Sequence, residues 1–123
     1  MLIEVDTASA VPAYEQIRAQ IETMVGSGLL TTGAPLPTIR QLAADLGLAV
    51  NTVARAYREL ESAGTVISRV RHGTVIADTA HGRVPAAETE RRLSDAAAAY
   101  ALVCRQLGVS VEDAVSAVRT HLS

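Results

Sequence analysis

The chain has 123 residues, the size of one domain, and its 49 % apolar and 20 % charged residues allow a packed core and exclude wholesale disorder. With no Phe or Trp and only three Tyr, that core must be filled by Val, Leu, Ile and Ala. Thirteen acids face eleven bases, all of them Arg, and the net charge of −2 excludes a protein that coats polyanions by bulk charge, leaving local placement to decide what a phosphate meets.

Residues 1–11 read as a short lead-in. Glu4 and Asp6 stand where a signal peptide would be basic and then apolar. No apolar run approaches the ~20 residues that span a bilayer. The expectation is a soluble cytoplasmic protein with no membrane partner. Pro12 suits the first turn of a helix, and Tyr14, Ile17, Ile21 and Met24 then recur at spacings of three and four, the mark of one buried face. Gly26-Ser27-Gly28 stops that helix, and the segment LLTTGAPLP is a loop of fixed shape.

Thr38 is an N-cap with Gln41 three residues on, a capping box that opens a helix over about 39–46 with Leu42, Ala43 and Leu46 inside. Gly47 ends it as a left-handed C′ residue. A second helix spans about 50–63, with Val53, Tyr57 and Leu60 inward, and Gly64 closes it. Ala43, Gly47 and Val53 lie four and six apart: a small residue under the crossing helix, a turn, and a packing contact. Two β-rich runs, Val66–Arg69 and Thr74–Ala77, flank a turn at Val70–Gly73 and read as a hairpin. Helix, glycine turn, helix and hairpin is the order of a winged helix-turn-helix.

The outer face of the second helix presents Asn51, Thr52, Arg55 and Arg58, and positions 51, 55 and 58 form one row. No acid interrupts residues 46–58. A helix fits the major groove, Asn suits adenine edges, and Arg makes a bidentate bond to guanine; the bland alternative is a solvated polar face. Arg40 lies near the positive end of the preceding helix, where a phosphate can also be held, or it pairs with Asp45 or Glu15. Arg69, Arg71 and His72 sit on the hairpin, whose tip either reaches DNA or is merely solvated, and Thr74 is phosphate-facing or an ordinary strand residue.

Residues 78–87 form a polar connector. Beyond it Leu93, Ala97, Tyr100, Cys104 and Leu107 make a heptad-like seam on a helix of about 88–107. Gly108 breaks it, Ser110 with Asp113 caps a last helix, and Val111, Val115, Val118 and Leu122 repeat the spacing. Two such helices cannot close a core alone, so their seams are expected to bury against each other and a second chain. Cys104 reads as core, and as the only cysteine it forms no internal disulfide. His81 and His121 have no partner at ligand spacing, so no metal is expected. Enzyme signatures are absent, and no cofactor is expected.

The blocks LPTIRQLA and NTVARAYRELE and the GTVI end of the wing carry a resemblance. From about Pro12 to Ala77 the chain resembles the GntR family of bacterial transcription regulators, most closely its small YtrA-type branch. The resemblance implies a dimeric DNA-binding repressor, with contacts from Arg40, from Asn51, Thr52 and Arg55, and from the wing positions His72 and Gly73. Three positions depart from the family pattern. Ala49 replaces the usual Ser or Asn that opens the second helix, losing an N-cap contribution of ~1 kcal/mol unless Asn51 caps one turn later. Val50 replaces a basic residue or Pro, and Arg71 replaces the first wing glycine.

The expected fold is therefore mainly α with a small β-hairpin: a winged helix-turn-helix over 1–78 and a two-helix dimerisation tail over 79–123. The expected DNA-contacting set is Thr38, Arg40, Asn51, Thr52, Arg55, Arg58, Arg71, His72 and Gly73, and the expected interface is Leu93, Ala97, Tyr100, Cys104, Leu107, Val111, Val115 and Val118. The expected activity is a regulator binding an inverted repeat in double-stranded DNA as a homodimer, with a small apolar effector as a further possible partner. The alternative is a winged-helix module that binds a protein instead.

Overall fold

Three helices and a hairpin form the first of two compact units, Met1–Val84 and Pro85–Ser123. The computed structural model describes residues 3–69, 73–78 and 86–122. In the first unit lie α1 (Ala13–Gly26), α2 (Ile39–Leu46), α3 (Val50–Ser62), β1 (Val66–Arg69) and β2 (Gly73–Ile76). The second holds α4 (Ala86–Leu107) and α5 (Val111–Leu122). The chain thus has the winged helix-turn-helix and two C-terminal helices expected of it.

Packing of α1 and α2 on α3 makes the core. Ile17 and Ile21 of α1 are fully buried, as are Val53, Ala56 and Leu60 of α3, with Val66 and Ile76 of the hairpin beside them. With no Phe or Trp and with Tyr57 as its one buried aromatic ring among the described residues, the core brings its helices close together, and Ala43 and Ala56 allow it. Each branched aliphatic side chain so buried contributes about 1.5–3 kcal/mol.

The N-terminal segment is more than a lead-in. The Gln16 amide accepts from Asp6 N–H at 2.9 Å and donates to the carbonyls of Asp6 at 2.9 Å and Val11 at 2.8 Å. One turn on, the Gln20 amide accepts from Glu4 N–H at 3.0 Å and donates to Glu4 O at 2.7 Å. Two side-chain amides on one face of α1 thereby stand in for a neighbouring strand, pairing alternate residues of an extended segment. Ile3 is pinned into the core as a result.

The loop before α2 is likewise recruited into the wing. Gly33 N–H donates to Ile76 O at 2.8 Å, Ile76 N–H to Ala34 O at 2.9 Å, and Leu36 N–H to Thr74 O at 2.9 Å, with Pro35 opposite Val75. The free edge of β2 is paired rather than left open. On its other side β2 runs antiparallel to β1, from Val66 opposite Ile76 to Arg69 opposite Gly73. The second strand thus covers Gly73–Ile76 rather than Thr74–Ala77. Gly73, expected in the turn, is its first residue, at φ +69. Residues 70–72 of the expected turn lie outside the described residues.

The turn between α2 and α3 forms as its residues dictate. Gly47 adopts φ 67 and ψ 34, and the N–H groups of Gly47 and Leu48 donate to Ala44 O at 3.3 Å and Ala43 O at 2.9 Å. Tyr57 then fixes α3 against the segment that leads into α2: its ring is buried and its hydroxyl donates to Pro37 O at 2.7 Å. Burial pushes the Tyr57 phenol up to about 12. At the far end of α3, Thr65 is buried, and its hydroxyl donates to Glu22 of α1 at 2.6 Å.

In the second unit α4 starts at Ala86 rather than 88, Gly108 (φ +68) turns the chain, and Ser110 Oγ accepts from Asp113 N–H at 3.1 Å as the α5 cap. The expectation that the two seams bury each other is corrected here. None of the described side chains of α4 and α5 is buried. Leu93, Leu107, Val111 and Leu122 are 70, 72, 75 and 82 % exposed. The seams diverge from the tight Gly108 turn, where Tyr100 donates to Ala114 O at 2.7 Å, and an open apolar cleft of about 560 Å³ lies between them. Cys104 is half-buried on the wall of this cleft and not in a core.

Replacing Tyr57 by Phe removes a buried donor and strands the Pro37 carbonyl. The expected loss is about 1 kcal/mol in urea unfolding at neutral pH. A phenol that ionises at 10.0 unfolded and about 12 folded stabilises the fold below pH 10 and loses that stabilisation as pH rises toward 12. With no Lys in the chain to titrate in this window, wild-type stability should fall between those values. The fall should flatten in Tyr57→Phe.

Candidate nucleic-acid interface

The buried face of α3 determines what its other face shows. With Val53, Ala56, Tyr57 and Leu60 against the core, Asn51, Arg55 and Arg58 are exposed in a row and Thr52 is half-exposed beside them. No acidic residue occupies the first turn of α3. Ala49 supplies no side-chain cap, and Asn51 does not replace it, so the first turn is closed only by Thr52 N–H to Ala49 O at 3.1 Å. The positive end of the helix is therefore left without a neutralising side chain, next to the Asn51 amide.

Arg40 projects from the first turn of α2 and is exposed. Glu15, one of the two carboxylates of the alternative reading in which Arg40 is ion-paired, is taken by Arg18, whose Nε donates to it at 2.8 Å. That bond holds the Glu15 carboxyl below its ordinary range. Among the described residues no carboxylate pairs with Arg40 on α2, Arg58 in the α3 row or Arg69 at the end of β1, so three guanidinium groups of this unit lack a carboxylate partner. Arg55 is engaged, but loosely. Its Nε lies 3.7 Å from Glu59 Oε1 one turn on, and its Cζ sits 3.8 Å above the centroid of the Tyr14 ring. Both Arg55 and Glu59 side chains are substantially exposed, at 55 and 41 %, so this ion pair contributes at most about 1 kcal/mol.

The remaining expected residues divide. Thr38 is exposed, but its hydroxyl is occupied as the α2 cap, accepting from Gln41 N–H at 3.1 Å. Gly73 is exposed at the start of β2, and Thr74 is a half-buried strand residue opposite Ser68. Arg71 and His72 lie outside the described residues, as does His81. Sequence reasoning assigned Tyr14 to the core alone and missed its contact with Arg55. Periodicity places both residues on faces but does not say which faces meet. The one available signal was that Tyr14 is one of only three aromatic side chains in the chain.

Residues 13–76 match the model of the gntR family of bacterial regulatory proteins. The chain is 42 % identical over 113 residues to the HTH-type transcriptional regulator Rv1152 of Mycobacterium tuberculosis, covering 92 % of this chain and 88 % of that one. It is 38 % identical over 65 residues to the HTH-type transcriptional repressor YtrA of Bacillus subtilis, covering 53 % of this chain and 50 % of the repressor. Among solved structures, YtrA from Sulfolobus acidocaldarius, a GntR-family transcription factor, is similar with a TM-score of 0.59 and 30 % identity, covering 80 % of this chain and 99 % of that one. AraR(DBD), solved in complex with operator ORX1, is similar with a TM-score of 0.53 and 25 % identity, over 59 % of this chain and 90 % of that one. These relatives and this fold are those of transcription regulators, not enzymes. No helix among the described residues is long and apolar enough to cross a membrane.

Replacing Thr38 by Ala should lower stability by about 1 kcal/mol in denaturant titration, and Thr38→Asp should retain most of it, because a side-chain acceptor is all the cap requires.

Proposed function

The chain belongs to the GntR family of bacterial regulatory proteins, and from that premise we propose that it is a sequence-specific DNA-binding repressor of the cytoplasm. One observation carries the reading: the exposed α3 row of Asn51, Arg55 and Arg58, opposite a fully buried face. In this reading α3 enters the major groove, with Asn51 and Arg55 on base edges and Arg58, further from the helix start, on the backbone. Thr52 and the free Arg40 meet the flanking phosphates, and the wing, with Arg71, His72 and Gly73, follows the adjacent groove. Thr38 contributes by capping the helix that presents Arg40. The operator complex of AraR(DBD) supports a DNA partner for this architecture, and the repressor name of the Bacillus subtilis relative supports the direction of control.

The reading assigns DNA binding to 1–78 and dimerisation to 79–123. A tail of two helices with no buried described side chain cannot be stable by itself, and its exposed apolar residues are those a second copy would cover. The interface is assigned to Leu93, Ala97, Tyr100, Cys104, Leu107, Val111, Val115 and Val118. A two-fold dimer places two recognition helices about 34–36 Å apart, one turn of duplex, so the operator is an inverted repeat.

Selection of bound duplexes from a random pool should return an inverted repeat. A pool that stays unenriched contradicts the reading and favours a protein-binding module. On the selected duplex Arg55→Ala should cost about 1–3 kcal/mol, with little loss on unrelated duplex. Arg58→Ala should weaken both alike. Sedimentation should show a dimer at micromolar concentration; a stable folded monomer contradicts the assigned interface.

A further inference from the structure

We propose that Tyr14, on α1, is a positioning residue for DNA recognition: it braces the Arg55 guanidinium so that its outer edge is already set for a base. This rests on the reading of α3 as the recognition helix.

The Arg55 Cζ lies 3.8 Å above the Tyr14 ring centroid, a stacked cation–π distance. A guanidinium is flat, and its face and its edge do different work. The face stacks on an aromatic ring, while the edge carries the N–H donors that match the two acceptors of guanine in the major groove. The contact with Tyr14 therefore leaves base recognition open. The nearest approach of the Glu59 carboxylate is to Nε, at 3.7 Å, and no acceptor among the described residues hydrogen-bonds the two terminal nitrogens of Arg55. Stacking below and a carboxylate behind thus restrict a side chain that otherwise has large rotamer freedom, and they do so without consuming its reading edge.

Tyr14 is well placed for the role because it is itself held. It is half-buried and packs on the core cluster, on a helix whose Ile17 and Ile21 are fully buried. The brace is therefore part of the rigid body that carries α3. An Arg ordered before binding loses less freedom on reaching its base, and this gain applies only where the base can be read.

The test compares Tyr14→Leu, Tyr14→Phe, Arg55→Ala and the Tyr14→Leu/Arg55→Ala double variant in the full chain. The probes are the duplex returned by random-pool selection, its single-base-pair variants and an unrelated duplex of equal length; urea unfolding is followed in parallel. Tyr14→Leu should weaken the selected duplex about two- to fivefold and leave the unrelated one unchanged. Tyr14→Phe, which keeps the ring, should match wild type, and Tyr14→Leu should add nothing in the Arg55→Ala background. Unchanged discrimination in Tyr14→Leu, or an equal loss with and without Arg55, overturns the role and leaves a brace between two helices only. A wild-type chain that selects no duplex overturns the DNA reading, and this role with it.

Discussion

Burial of one face of α3 is the constraint on which the rest of the structure depends. Val53, Ala56, Tyr57 and Leu60 leave no freedom in how that helix is rotated, because turning it would bring the Arg55 and Arg58 stems into an aliphatic core. The Tyr57 hydroxyl adds a direction to this packing by holding Pro37, the residue before the α2 cap. Two helices and the loop between wing and core are thereby fixed to one another, and the α3 row is presented as a consequence.

The electrostatic problem is solved by placement and not by amount. A chain with net charge −2 repels a polyanion at long range, and screening removes most of that repulsion beyond about 10 Å at ordinary salt. What acts at contact is local. Three guanidinium groups without carboxylate partners among the described residues, a loosely held fourth, and an uncapped helix start lie on one unit. Elsewhere among the described residues, Glu15 is engaged by Arg18 and Glu88 by Arg91 and Arg92.

Much of this was legible in the residues themselves. Ala43, Gly47 and Val53 announce the helix-turn-helix because each spacing answers one steric need, and α2 has the expected ends because Thr38 and Gly47 can each do only what their positions require. The N-terminal tape was not legible: its partners are the Gln16 and Gln20 amides, and side chains that imitate a strand leave no periodic signal. The pairing of residues 33–36 with β2 was hidden for a related reason, since the two prolines that mark a loop are compatible with an edge. For the tail, apolar spacing revealed the seams but not what covers them, which depends on where Gly108 sends the chain. The Tyr14–Arg55 stack joins residues 41 positions apart on two different helices, beyond anything a spacing rule can see.

The claim beneath all of this is that locally gathered Arg, on an acidic molecule, meets phosphates. Its most direct measurement is the salt dependence of binding to the selected duplex. If a dimer neutralises four phosphates, the logarithm of affinity should fall linearly with the logarithm of salt at a slope of about −3.6, a loss of roughly a hundredfold between about 50 and about 200 mM. Affinity that stays flat across that range would contradict the account.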